Sequence, residues 1–358
     1  MRFKPGDGCH PVFFLRDIDG RCFSVSMSGM LRFDDLQVRF PAIQAALSGY
    51  SDAPMRKISR ECGAEFTLCE VFLDQFVVHV SQGKKSRFYL DVDGSDHPTG
   101  AQLMGSHPET FVLAAKRLVE FGFDLIDLNF ACPVKKVLGR CRGGYLMTDP
   151  PKAIEIVDRV RESIPADIPL TIKLRKGFDD STQSEDCFFE LLDGAFDRGI
   201  AAATIHGRTV TQRYEGLSDW DFIGRVKRHA GSRVILGSGD LFDAETVVRR
   251  MNETGIDGVA LARGVIGNPW LFRQVRTALA RIPIPPPPTL SEQYAVILRH
   301  YDLSETLYGA HRSTSDMRKF GVYYAKLHPN AIAVRDAFVR AKNRDDWLAV
   351  LQTWYRDD

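Results

Sequence analysis

Apolar residues cluster in short runs along the middle of the chain, at residues 42–47, 65–70, 99–103, 125–129, 170–175, 203–206, 234–237 and 258–262. Most of these runs are separated by longer stretches in which apolar positions recur with helical period, at 110–121, 151–164, 186–198, 220–229 and 244–252. Short apolar or alternating runs predict strands, and a 3.6-residue period predicts helices packed by one face. Strand alternating with helix predicts parallel strands joined by helical crossovers. Eight such units in about 240 residues match an α/β fold of the closed (β/α)8 or TIM-barrel kind. An open doubly wound sheet is the alternative, but it ordinarily carries a G-x-G-x-x-G turn after its first strand, and this chain has none.

The pattern changes at both ends. The first 35 residues, with turns at Gly6-Asp7-Gly8 and Asp19-Gly20, predict a hairpin or a loose extension ahead of a barrel at 36–282. Arg281-Ile-Pro-Ile-Pro-Pro-Pro-Pro cannot continue a helix, so residues 283–288 read as a stiff linker. Residues 289–358 keep helical periodicity with few Gly or Pro and no strand alternation, which predicts a small C-terminal helical domain.

Charge changes the picture only locally. The chain has 47 Lys+Arg against 46 Asp+Glu, so a nucleic-acid partner must be held by a patch rather than by net charge. Such a cluster exists between 312 and 344: Arg312, Arg318, Lys319, Lys326, Arg335, Arg340, Lys342 and Arg344 face only Asp316 and Asp336. Seven scattered cysteines without a C-x-x-C pair argue against a disulfide framework or a structural zinc site and point to a reduced, cytoplasmic setting. With no apolar run near ~20 residues and no leader-like N-terminus, no membrane association is expected.

In a barrel of this kind chemistry sits where strands end. There the sequence delivers Ser48 to Asp52, Gln102, Asn129 with Cys132-Pro133, Lys173 with Arg175, His206-Gly207-Arg208-Thr209, Ser238-Gly239-Asp240 and Ala262-Arg263-Gly264. Glycine-containing turns after the last two strands let backbone N–H groups approach a phosphate, which predicts a phosphate-bearing cofactor. Lys173 is costly to bury unless it faces an anion, and a reduced flavin, with its negative charge near N1 and O2, suits it better than nicotinamide alone.

Asp127-Leu-Asn-Phe-Ala-Cys132-Pro-Val-Lys-Lys136-Val resembles the D-x-N-x-G-C-P-x-x-K-V signature of tRNA-dihydrouridine synthases, especially their bacterial B-type branch. Lys173-Leu-Arg-Lys-Gly177, His206-Gly-Arg-Thr209 with Gln212 and Tyr214-Glu-Gly216, Gly239-Asp240, and Arg263-Gly264 through Asn268-Pro269-Trp270 are similar to further motifs of that family in the same order. The chain departs from the pattern at Ala45-Ala46-Leu47-Ser48-Gly49 (family A-P-M-A-G), at Ser238 (family Asn) and at Ala131 (family Gly), and no departure removes a reacting group.

The resemblance implies FMN in the barrel, NADPH as reductant and a uridine of tRNA, or of another structured RNA, as acceptor, in a monomer without an obligate protein partner. It makes Cys132 the proton donor, as a thiol still protonated near neutral pH can be. It places Ala46, Leu47, Ser48, Gln102, Lys173, His206, Ser238, Gly239, Asp240, Ala262 and Arg263 on FMN. Asn129, Arg175, Arg208, Arg318 and Lys319 fall on the RNA. Two other functions stay open: an FMN-dependent oxidoreductase of free pyrimidines, similar to dihydroorotate dehydrogenase, which needs no basic tail, and a non-catalytic barrel that binds RNA.

Overall fold

The structure, a computed structural model, describes residues 30–80, 90 and 92–356, together with the backbone of residues 12–16 and 22–26. The turns at Gly6 to Gly8 and Asp19-Gly20 lie outside the described residues. Strands β1 (Val12–Arg16) and β2 (Cys22–Ser26) pair antiparallel, as do β3 (Leu31–Phe33) and β4 (Leu36–Val38). Eight strands follow: β5 (Ala42–Gln44), β6 (Thr67–Leu73), β7 (Thr99–Met104), β8 (Leu125–Asn129), β9 (Leu170–Arg175), β10 (Ala202–His206), β11 (Val234–Ser238) and β12 (Gly258–Leu261). They pair in parallel in sequence order, and β12 returns to β5 through Val259 beside Ala42 and Leu261 beside Gln44. The fold is the expected (β/α)8 barrel followed by helices.

Two strands end elsewhere than their apolar runs suggest. β5 stops at Gln44 because the chain curls over the barrel mouth: the Leu47 carbonyl accepts from the amides of Tyr50 and Ser51, both at 3.0 Å. β6 runs on to Leu73 through a register shift between Leu68 and Val71, which the apolar pattern of 65–70 does not reveal. The helix Ala53–Glu61 was also not marked by apolar period. It starts at Asp52, whose Oδ1 accepts from Met55 N at 3.0 Å, with Pro54 in the first turn.

The boundary expected at residue 35 falls inside the β3–β4 hairpin. Leu31, Phe33 and Val38 are 1–2% exposed and join Ile43, Phe66, Leu68, Leu125, Ala202 and Leu236 in the core of the barrel's lower half. Between this plug and Asp127, Thr171 and Thr204 above it only about 10 Å³ of space remains. The barrel is stoppered at the N-terminal end of its strands.

At the other end of the sequence, residues 283–289 are irregular and lead into helices Leu290–Tyr308, Ala310–Tyr324, Ala331–Arg340 and Arg344–Trp354. These helices share one hydrophobic core with the barrel's outer layer; Ile297, Tyr301, Phe320 and Trp347 belong to the same cluster as Phe272 and Val275. A Cβ added at Gly267, whose φ is +70°, would lie 2.5 Å from the Tyr323 carbonyl carbon and the Tyr324 nitrogen. Backbone meets backbone there, and Tyr308 donates to Asp52 Oδ2 at 2.9 Å nearby. Removing everything past Pro288 would strip one face of the barrel.

Candidate active site

Parallel register sorts the polar strand residues into tiers. Gln102, Asp127 and Thr171 are lateral neighbours on β7, β8 and β9. One step towards the strand ends, Asn129 sits beside Lys173 and Lys173 beside Thr204. One step further, Arg175 sits beside His206 and His206 beside Ser238. Because side chains alternate, these positions share the inward face, and they rise into a cavity of about 450 Å³ at the C-terminal ends of the strands.

The lowest tier is a closed hydrogen-bond relay. Asp127 accepts from Thr171 Oγ1 and from Gln102 Nε2, each at 2.6 Å. Gln102 Oε1 accepts from Asn129 Nδ2 at 2.6 Å, and Asn129 Oδ1 accepts from the amides of Ala131 and Cys132, both at 3.0 Å. A buried carboxylate is thereby linked through two amide side chains to the backbone that carries Cys132. Burial pushes the Asp127 carboxyl up, and the Thr171 and Gln102 donors pull it down.

Cys132 is backed by a tight loop. Gly144 N donates to Cys132 O at 3.0 Å, and a Cβ on Gly143, at φ +56°, would stand 2.8 Å from Cys132 Cβ. Only glycine lets the Gly143-Gly144 backbone cross behind the thiol at this distance. Burial pushes the Cys132 thiol above its ordinary value, while the Val134 amide and the Arg175 charge pull it down. The resting group is a thiol.

The middle tiers concentrate cations. Lys173 Nζ is buried with no hydrogen-bond partner among the described residues, and burial, then the neighbouring Arg175, lower its pKa to about 8, with Asp127 opposing them. Arg175 donates to three carbonyls: Nε to Ala131 at 2.8 Å, Nη1 to Thr209 at 2.9 Å and to Arg213 at 2.6 Å. It therefore ties the Cys132 loop to the loop after β10. Burial, reinforced by Lys173, Arg175, Arg208 and Arg263, pushes His206 down to about 2, so its ring is neutral. Arg208 Nη1, which can only donate, lies 3.2 Å from His206 Nε2, so Nε2 is the acceptor and the ring proton sits on Nδ1.

Arg208 is built into the site as a strut. It is 2% exposed, and its Nε and Nη2 donate to the Glu215 and Gly216 carbonyls and, at 2.7 Å, to Asp240 Oδ2. All three guanidinium nitrogens are engaged. Asp240, at φ +55°, also accepts from Ser218 N at 2.8 Å and faces Arg263 Nη2 at 3.5 Å, so its carboxylate braces the loops after β10, β11 and β12. Gly239, at φ +119°, has Ser218 Oγ 2.4 Å from where a Cβ would be, and His206 Cδ2 at 3.0 Å. Ala46, Leu47, Ser48, Ser238, Ala262 and Arg263 line the same cavity as Cys132, Lys173 and His206.

The basic cluster does not form one patch. Arg312 pairs with Asp316, Arg335 with Asp336, and Arg344 with Asp302 and Glu305. Lys319 lies 5.5 Å from the Tyr50 ring and Lys326 4.3 Å from the Tyr323 ring, beside the mouth, whereas Arg318 is half-buried on the same helix as Lys319 and does not line the cavity. Sequence reasoning did not single out Thr171, Gly143, Gly144, Phe242 or Tyr323, nor give a role to Tyr50, Asp127 or Tyr214. The adjacent glycines were the one visible signal; the others gain meaning only from register and from loops that meet in space.

Residues 43–357 match the family model described as dihydrouridine synthase (Dus). The chain is 32% identical over 337 residues to a probable tRNA-dihydrouridine synthase of Mycobacterium tuberculosis, covering 90% of this chain and 84% of that one. It is 30% identical over 315 residues to tRNA-dihydrouridine synthase B of Pseudomonas aeruginosa, covering 88% and 92%. Among solved structures, histamine dehydrogenase from Rhizobium sp. 4-9 superposes with a TM-score of 0.56 at 15% identity, over 76% of this chain and 50% of that one. A 2-naphthoyl-CoA reductase complex does so with a TM-score of 0.56 at 12% identity, over 70% and 52%. The chain spans about half the length of each of these two, and at such identities the likeness is one of fold. The family match along most of the sequence and the relatives at 30% identity or above make this chain a member of the dihydrouridine synthase family of enzymes.

Proposed function

We propose that the chain reduces a uridine of tRNA to 5,6-dihydrouridine, with FMN held in the barrel mouth, NADPH as reductant and Cys132 as the proton donor, in the cytoplasm and without an obligate protein partner. The observation that carries the proposal is that one cavity is lined both by an unpartnered buried ammonium, Lys173 Nζ, and by a thiol that burial keeps protonated, Cys132. The first fits the anionic edge of a reduced flavin, and a cavity of about 450 Å³ is of the size that takes a cofactor. FMN, when bound, supplies a hydride from N5 to C6 of the uracil.

The chain's own residues supply the rest. Lys173, Gln102 and His206 would face the flavin ring. Ala46, Leu47 and Ser48 would wall one side, and the Ser238-Gly239-Asp240 and Ala262-Arg263 loops would take its phosphate. Cys132 donates the Sγ proton to C5, and the thiolate left behind is met by the Val134 amide and the Arg175 charge, both of which favour the anion. Solvent returns the proton. Asn129 has Oδ1 occupied by two amides and one Nδ2 hydrogen held by Gln102, so it offers a uracil a single N–H, which suits a carbonyl oxygen and not N3–H.

An anaerobic absorption experiment tests this reading. Flavin bands in the purified protein should bleach with NADPH and return on addition of unmodified tRNA. Bands that bleach but ignore RNA assign the chain to free pyrimidines, and a protein without flavin bands overturns the reading.

A further inference from the structure

At one edge of the mouth three loops present rings and a planar cation in series. Arg213, at φ +53°, has its carbonyl held by Arg175 Nη1 at 2.6 Å, which fixes the direction in which Tyr214 leaves the backbone. The Tyr214 ring is 56% exposed, and its centroid lies 5.5 Å from Arg175 Cζ and 5.0 Å from Arg263 Cζ. Arg263 in turn lies 5.6 Å from the centroid of Phe242, which is 49% exposed. Neither ring is spent on core packing, and Asp240, which accepts from Arg208 and Ser218, also faces Arg263 at 3.5 Å. Tyr214, Arg263 and Phe242 line the cavity that holds Cys132.

Resting on the tRNA reading above, we propose that Tyr214, Arg263 and Phe242 form a shelf for a nucleotide that flanks the target uridine. An unpaired base stacks on an exposed ring face, while Arg263, facing Asp240 and lying 5.0 and 5.6 Å from the two ring centroids, steadies the rings from behind. Stacking accepts any base because every base has a π face. The shelf therefore grips single-stranded RNA without reading its sequence, and it lies outside the set of residues that handles the reacting uracil.

The test measures reoxidation of the NADPH-reduced protein over a range of unmodified tRNA concentrations for the wild type, Tyr214→Ala, Phe242→Ala and Tyr214→Phe. Each alanine should raise the half-saturating tRNA concentration about 10-fold, with a much smaller change in the limiting rate, and Tyr214→Phe, which keeps the ring, should restore the wild-type value. Unmoved half-saturation in both alanine variants, beside a wild type that tRNA reoxidises, overturns the shelf alone. A wild type that tRNA fails to reoxidise overturns the shelf together with the function it rests on. A rise in half-saturating NADPH in place of tRNA assigns the shelf to the reductant and also overturns the proposal. Retained flavin absorbance and circular dichroism show that each variant is folded.

Discussion

On the floor of the cavity Thr171, Asp127, Gln102 and Asn129 bond to one another and to the Cys132 backbone at 2.6–3.0 Å, leaving Lys173 Nζ as the group without a partner. At the rim Tyr214 and Phe242 expose ring faces and Arg263 is 38% exposed, held by ring contacts and a 3.5 Å approach to Asp240. A saturated network has one low-energy arrangement and suits chemistry that must occur at one atom. An exposed stack tolerates different partners and suits a polymer whose neighbouring residues vary. The difference predicts that floor changes act on rate and cofactor, and rim changes on RNA concentration dependence.

Four variants can break that division. The largest effect is expected for Cys132→Ala: RNA reduction should fall by about 10²–10⁴-fold, the range for loss of a general acid, in single-turnover assays. The raised thiol pKa also fixes a sign, because the donor is the protonated form, whose supply is lost as pH rises through that pKa. The wild-type rate should hold through neutrality and fall on the alkaline side. Lys173→Met should lower the flavin midpoint potential, about 30 mV for each ~1.4 kcal/mol of lost charge stabilisation in a two-electron couple. Without flavin the Lys173 cation is lost as pH rises through about 8, and an anionic flavin edge raises that point, so an alkaline bend in potential against pH should vanish in the variant; a potential unmoved by Lys173→Met would separate the lysine from the flavin.

Asp127→Asn keeps the shape but removes the charge and turns one acceptor into a donor, so Thr171 must reverse its hydroxyl and the relay is rearranged. Misplacement of the Cys132 loop should lower the limiting rate of RNA reduction about 10- to 100-fold while half-saturating tRNA moves little. An equal shift in both would make Asp127 a part of the general scaffold. The smallest effect is expected at the opposite rim, where Lys319→Gln should weaken tRNA binding a few-fold and reduce the slope of log affinity against log salt by about one. An unchanged salt slope would exclude Lys319 from the phosphate contacts.

How much of this was legible in the sequence follows the same division. Apolar alternation gave the barrel, because each strand–helix unit is local and its period survives in one dimension. The strand-end positions of Asn129, Cys132, Lys173 and His206 were legible for the same reason. The bonds of Arg208 were not, because nothing local distinguishes an arginine that reaches substrate from one that spans Glu215, Gly216 and Asp240. The Asp127 relay depends on the lateral register of three strands, and the shelf on three loops that are distant in sequence. The basic run at 312–344 promised a single patch, yet its members are spread over three helices and the turns between them; Arg312 and Arg335 pair with carboxylates inside the run and Arg344 with Asp302 and Glu305 outside it.

The β3–β4 hairpin carries a consequence for timing. With Leu31, Phe33 and Val38 corking one end of the barrel, the described residues leave the reaction chamber a doorway at the opposite end. On the proposed function, reductant and RNA become successive visitors through the same entrance, each having to leave before the other is admitted. On that reading a spent nicotinamide that lingers competes with the next RNA for the threshold itself, so departure through that doorway belongs to every turn of the cycle.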